Sequence, residues 1–466
     1  MKNIVVVLIG VILSMVLVFY GCITVIGILL LGGFCSMFFI HKQGNLFIVM
    51  GLICWTVFSP QITRFLYIPF SGYIDEALVA LMCTKAFVLS LDQRPQINKE
   101  MFIMCIFSSF VFFSSLLLQQ PLPVIINFLF SFLKWIFVGW SSSVLLRRDD
   151  FNKIFLGIFY IVIIQTIIGM IQFFTFGNAN IFIGSEIHIQ QDAATGTFGR
   201  YGAHYMGNFM IIVGIGFLSF YQMTKKRIWM VGVLVSFIGF FITFTETTLV
   251  FLAVYLLSVV LFSKKIKISY KLLVVSIVIA VGGSLAMGKL EMGERIYEII
   301  KNPKEITSSG KYKSIVLAKN LTSQDIYYGL AGHGAGSYSS GAAVKAECPL
   351  FKKYIKRLLE TVTSTKDFHW SSATSLLVET GYMGFLLYYM IIGIVIMRAI
   401  KYRVNYAFEI EGICAHVAFM SVSFFMLFLS ILSNAYELLP YVIPYGLLYG
   451  MTLKYPIVNS QSEVLC

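Results

Sequence analysis

The chain has 466 residues, of which 58% are hydrophobic and only 12% charged, with a mean hydropathy of +0.84. A soluble domain of this length would carry roughly twice that charge, so the composition excludes an ordinary globular protein. The formal net charge of +13 lies in short clusters between apolar stretches, which argues against nucleic acid and for a polytopic membrane protein.

Apolar stretches long enough to cross a bilayer as helices place fourteen spans near 3–20, 22–40, 45–63, 73–91, 101–118, 122–146, 151–176, 204–222, 228–244, 247–263, 270–287, 372–397, 411–431 and 434–453. The first lacks a small-residue cleavage site and runs straight into the second, so it reads as a retained span. The stretch 73–91 fits least well, because it carries Asp75, Glu76 and Lys85. Every second connection is basic: Lys42; Arg94 and Lys99; Arg147, Arg148 and Lys153; Lys225, Lys226 and Arg227; Lys264, Lys265, Lys267 and Lys271; Arg398, Lys401 and Arg403. That alternation puts both termini in the cytoplasm. The eight cysteines show no CxxC or zinc-like spacing, so no structural disulfide or metal is expected.

Two long connections fall on the outer side and divide the chain. Residues 1–287 form an N-terminal bundle with an outer loop at 177–203, residues 288–371 a large outer loop, and residues 372–466 the C-terminal helices. The large loop holds 13 Lys or Arg against 8 Asp or Glu. Long loops translocate largely regardless of charge, so these cations serve either solubility or attraction to an anionic substrate. Helices are expected at 290–302 and 311–321, then a Gly/Ala/Ser-rich turn, "GLAGHGAGSYSSGAA", at 329–343. A basic amphipathic helix at the lipid interface is expected over 349–363.

In "HWSSATSLLVETGYMG", residues 369–384, Ser371 and Ser372 are good N-caps for a helix running inward. Its positive end would offer backbone N–H groups to an anion such as phosphate. His369 stands just before that end, and Glu379 lies roughly 10 Å deeper at 1.5 Å per residue. An intramembrane carboxylate either serves a functional site or pairs with a buried polar group and holds helices together.

The run of His369, Ser371, Leu376, Glu379, Gly381 and Gly384 resembles the signature of the O-antigen ligase and polymerase superfamily. Gly332, Gly334 and Gly336 in "GHGAGSY" are similar to that family's upstream Gly-x-Gly-x-Gly-like turn. The segment "TGTFGRYGAHYMGNF", residues 195–209, resembles its sequence at the mouth of a middle span. The likeness covers roughly residues 150 to 400. It implies an all-α, GT-C-like polytopic bundle of about 12–14 spans with a large, partly helical outer loop. It also implies transfer of a glycan from an undecaprenyl-diphosphate-linked donor, without cofactor, on the outer face of the bacterial cytoplasmic membrane. Two departures stand out. The arginine that commonly opens the helix before the glycine turn is replaced by Lys311 or Lys313, which keep charge but lose the bidentate fork. Near residue 245, "TFTETTLVF" offers no cation.

Under this resemblance His369, Arg200 and Glu379 are the expected catalytic residues. Lys311, Lys313, His333, Gly334 and His204 are expected around the diphosphate or glycan. Cations near the departing pyrophosphate would stabilise the transition state more than the ground state. His369 would act as general base on the acceptor hydroxyl or would position the phosphate. Arg200 could equally be a snorkelling interfacial residue, and the two lysines a solvated helix face. Glu379 would orient a basic side chain or line the acceptor cavity. The preferred function is polysaccharide polymerase, with a flippase and a chain-length regulator as natural partners. A ligase attaching the glycan to lipid A core is the alternative. A flippase is disfavoured because no repeated halves are visible.

Overall fold

The computed structural model describes residues 44–65, 73–91, 99–176, 181–183, 186–188, 194–198, 202–243, 310–356, 371–404 and 410–455. The expected spans 3–20, 22–40, 247–263 and 270–287 lie outside the described residues, as do the helix expected at 290–302 and all of 349–363 beyond residue 356.

The chain is an all-α, multi-pass membrane helix bundle. Its elements are α1 (Gly44–Phe65), α2 (Ile74–Ser90), α3 (Lys99–Leu117), α4 (Leu122–Leu145), α5 (Arg148–Phe176), α6 (Ala203–Thr224), α7 (Arg227–Phe241), α8 (Gly310–Thr322), α9 (Ile326–Ala331), α10 (Gly341–Ala346), α11 (Ser372–Val404), α12 (Ile410–Leu432) and α13 (Leu439–Leu453). A small antiparallel hairpin, β1 (Ile181–Ile183) and β2 (Glu186–His188), interrupts the first outer loop. A single π-helical turn spans Phe351–Lys356.

Seven of these helices (α1, α3, α4, α5, α6, α11 and α12) are long and apolar enough to cross a membrane. Large apolar side chains such as Phe102, Phe113, Phe174 and Leu386 stay exposed on their outer faces, as expected of surfaces that meet lipid tails. Helix α13 starts five residues later than the apolar pattern suggested. Residues 433–438 form a tight turn instead, and Pro440 sits at the first helical positions, where its missing N–H costs nothing. In α13, Gly446 and Gly450 let the backbone close on α4. An added Cβ would lie 2.7 Å from the carbonyl oxygens of Trp135 and Gly139 respectively. This is the small-xxx-small packing of membrane helices.

The bundle has two distinct polar ends. At one, Asn45 donates to the Leu145 carbonyl (2.7 Å), Arg148 to that of Lys454 (3.3 Å), and Arg398 pairs with Glu100 while reaching Thr452. The described basic connections around Arg147 and Arg398 belong to this end. The segment 310–346 packs on the opposite end, against the start of α2, the α3–α4 turn, the start of α11 and the α12–α13 turn. The two ends therefore separate as the alternating basic loops require.

Candidate functional site

The end away from the basic connections is built around a break in α11. Gly381 adopts φ +66°, ψ −175°, which splits the helix in two. A break of this kind orphans the carbonyls of the preceding turn. The glycine turn takes them: His333 N–H donates to the Val378 carbonyl (2.8 Å) and Gly334 N–H to that of Glu379 (3.0 Å). The approach is backbone on backbone. A Cβ on Gly332, itself at φ +76°, would lie 2.5 Å from the main chain of Glu379, Thr380 and Gly381. The glycine motif and the Glu-x-Gly motif are thus two halves of one interlock.

The Glu379 side chain completes it. Oε2 accepts from Gly336 N–H (2.5 Å) and the Ser340 hydroxyl (2.9 Å). Oε1 accepts from the N–H groups of Tyr338 (3.1 Å), Ser339 (2.9 Å) and Ser340 (2.9 Å). The residue is fully buried, and among the described residues no cation touches its carboxylate. Among the described residues, its carboxylate therefore meets backbone and hydroxyl donors rather than a basic side chain. Its lone pairs are spent on curling residues 336–340 into a nest of N–H donors.

The start of α11 also differs from expectation. Ser371 is the cap, its hydroxyl accepting from Thr374 N–H (3.3 Å). Ser372 instead ties down the α12–α13 turn: its N–H donates to the Ser433 carbonyl (3.0 Å) and its hydroxyl accepts from Tyr436 N–H (3.1 Å). Ser375 N–H bonds the Ser371 carbonyl. The N–H groups of 372, 374 and 375 are therefore consumed within the protein, and the expected open anion seat at this helix start is not formed by them.

The remaining candidates divide. His369 and Arg200 lie outside the described residues, as does the side chain of Lys311. Lys313 is exposed on α8. His333 stacks on Tyr328 (4.1 Å between centroids) and its Nε2 donates to the Leu321 carbonyl (3.2 Å). Burial lowers its pKa, so the ring stays neutral near pH 7. Gly334 (φ +95°) packs on the Gln120 side chain, whose amide donates to the His333 carbonyl (3.3 Å). His204 is exposed at the start of α6, and Tyr441 donates to its carbonyl (3.3 Å).

Several groups at this end were not singled out from sequence. Lys134, on α4, is buried and paired with Asp75 at 2.6 Å and Glu76 at 3.6 Å. Glu76 also holds Lys345 of α10 at 3.2 Å. The charges that made 73–91 fit poorly are the counter-ions of this lysine. Glu437, in the α12–α13 turn, accepts from Gly341 N–H through Oε1 (2.7 Å), while its Oε2 is enclosed and unpartnered. Burial pushes the Glu437 carboxyl up to about 8, with Glu379 adding to the rise and the Gly341 N–H, Lys134 and Lys345 opposing it. An intramembrane lysine such as Lys134 was the available signal. Glu437, at the end of a span, gave none. No protein-family model matches the chain, and no curated protein does.

Proposed function

We propose that the protein is a bacterial cell-surface polysaccharide polymerase. It joins glycan units from an undecaprenyl-diphosphate-linked donor onto a sugar hydroxyl of a lipid-linked acceptor at the outer face of the cytoplasmic membrane. The single observation that supports this best is the interlock of the two motifs on which the family resemblance rests. The glycine turn and the Glu379–Gly381 break meet at the end of the bundle away from the basic connections, and Ser371, two residues after His369, lies at the same end. A lipid-linked substrate, held with its diphosphate at headgroup level, would present its sugar there.

In this reading His369 takes the acceptor proton or positions the phosphate. Arg200, Lys311 and Lys313 stabilise the charge that develops on the departing pyrophosphate. The donor bond itself supplies the driving force. A deletion strain examined by gel tests the assignment. Lipopolysaccharide capped with a single repeat supports a polymerase, whereas uncapped core with accumulated lipid-linked polymer supports the ligase. His369→Ala and Arg200→Ala should fail to restore polymer while reaching the membrane at wild-type level. Full activity in both would refute the catalytic assignment.

A further inference from the structure

Helix α11 changes character at its break. None of residues 371–381 is exposed, whereas Tyr382, Met383, Leu386, Met390, Met397 and Ile400 form an open apolar stripe along one face. The outer segment covers the first half. Val378 shares a buried cluster with Ala318 and Leu321 of α8, and a Cβ on Gly381 would meet the Leu330 carbonyl of α9. Helices α8 and α9 thus stand where the opening turns of α11 would otherwise meet lipid.

Their outward faces are apolar. Ile326 is 82% and Leu330 52% exposed, with Tyr327 exposed beside them, and α8, which buries Ala318 and Leu321, leaves Ile315 and Val316 exposed. A helix that packs one apolar face on a protein in water turns a polar face outward. Apolar residues on both faces call for two apolar surroundings. Lys319, exposed one turn beyond Ile315 and Val316 on the same face, can carry its ammonium up to headgroup phosphates. Length gives the depth. From Tyr382 to Ile400 the stripe spans about 27 Å at 1.5 Å per residue, a few ångströms short of the roughly 30 Å hydrocarbon core. Leu330 lies against Gly381, so α9 continues the stripe at its short end.

We propose that α9 and the outward face of α8 are an interfacial seat in the leaflet at the end away from the basic connections. Ile326, Tyr327 and Leu330 lie among acyl chains just below the headgroups, and Lys319 meets the phosphates. The partner is the bilayer surface itself. Helix α9 leads straight into Gly332, His333 and Gly334, so lipid holds the glycine turn at headgroup depth. This goes beyond the glycan-transfer reading and does not depend on it.

The test uses the full-length protein in phosphatidylcholine nanodiscs, with and without bromine on the acyl chains near the headgroup. Ile326→Trp and Leu330→Trp each add one indole to the five natural ones, and subtracting the wild-type spectrum isolates its emission. Brominated lipid should remove more than half of the added emission in both variants, while aqueous acrylamide should remove little. Both positions are already exposed, so neither substitution should move the melting temperature; if one does, the other decides. Quenching by acrylamide without an effect of bromine would place the face in water and overturn the seat. Shielding from both quenchers would overturn it too, and would assign the face to a covering protein segment. No glycan enters the measurement, so its failure leaves the proposed function untouched.

Discussion

Glu379→Ala removes the acceptor of four backbone N–H groups and one hydroxyl. Hydrogen bonds to a charged group contribute about 1.5–3 kcal/mol each, and simple addition would exceed what single substitutions deliver. The five donors act as one unit, so their contributions do not add. Water entering the vacated space would also re-satisfy some of them. The expected loss is about 4–5 kcal/mol, the upper end for a point change. Glu379→Gln should lose less, roughly half. Its amide oxygen can replace Oε1 and keep the bonds from Tyr338, Ser339 and Ser340, while its N–H₂ opposes the Gly336 N–H. The assay is apparent thermal stability of the purified full-length protein in detergent, read with activity. The expected order is wild type, then Glu379→Gln, then Glu379→Ala, with activity following stability. An inactive Glu379→Ala protein of wild-type stability would refute the anchoring argument and return the carboxylate to the chemistry.

Lys134→Met should destabilise by about 3–5 kcal/mol, because it strands Asp75 as a buried, unpaired charge. The double variant Lys134→Met with Asp75→Leu should recover much of that in the same thermal assay. Gly332→Ala should prevent stable accumulation, since its Cβ meets the main chain of residues 379–381; normal yield and melting would contradict the interlock. Glu437 should make stability fall with pH. Burial pushes its folded carboxyl up to about 8 from the ordinary 4.5 of a glutamate, so between these values the folded state holds a proton that the unfolded chain has released. Each pH unit in that window costs about 1.4 kcal/mol. The stabilisation is complete below pH 4.5 and lost as pH rises through 8. Glu437→Gln should flatten the melting profile over that range.

The spans were legible because lipid imposes a hard rule on hydropathy. Ten of the fourteen fall within the described residues, and each meets a helix there, with most boundaries moved by a few residues; α11 runs on to residue 404 instead of 397, and α13 starts at 439 instead of 434. There, the turn at 433–438 is stabilised by Ser372 from a distant helix, which no local pattern reports. The glycine turn was legible as a turn, but its packing on the broken α11 was not, because a helix break at Gly381 is invisible in a continuous apolar run. The capping serines were half legible: Ser371 behaves as a cap, whereas Ser372 spends both its groups on the neighbouring turn. Asp75 and Glu76 looked like flaws in a span because Lys134, 58 and more residues away, was not recognised as their partner.

The central proposal is that this bundle lengthens a lipid-linked glycan. Its most direct measurement is to reconstitute the purified wild-type chain in liposomes with lipid-linked glycan from the deletion strain and resolve the products by gel. The account predicts a ladder of longer lipid-linked chains with release of undecaprenyl diphosphate. Glycan that crosses the bilayer but stays a single repeat would contradict it, and would identify a transporter.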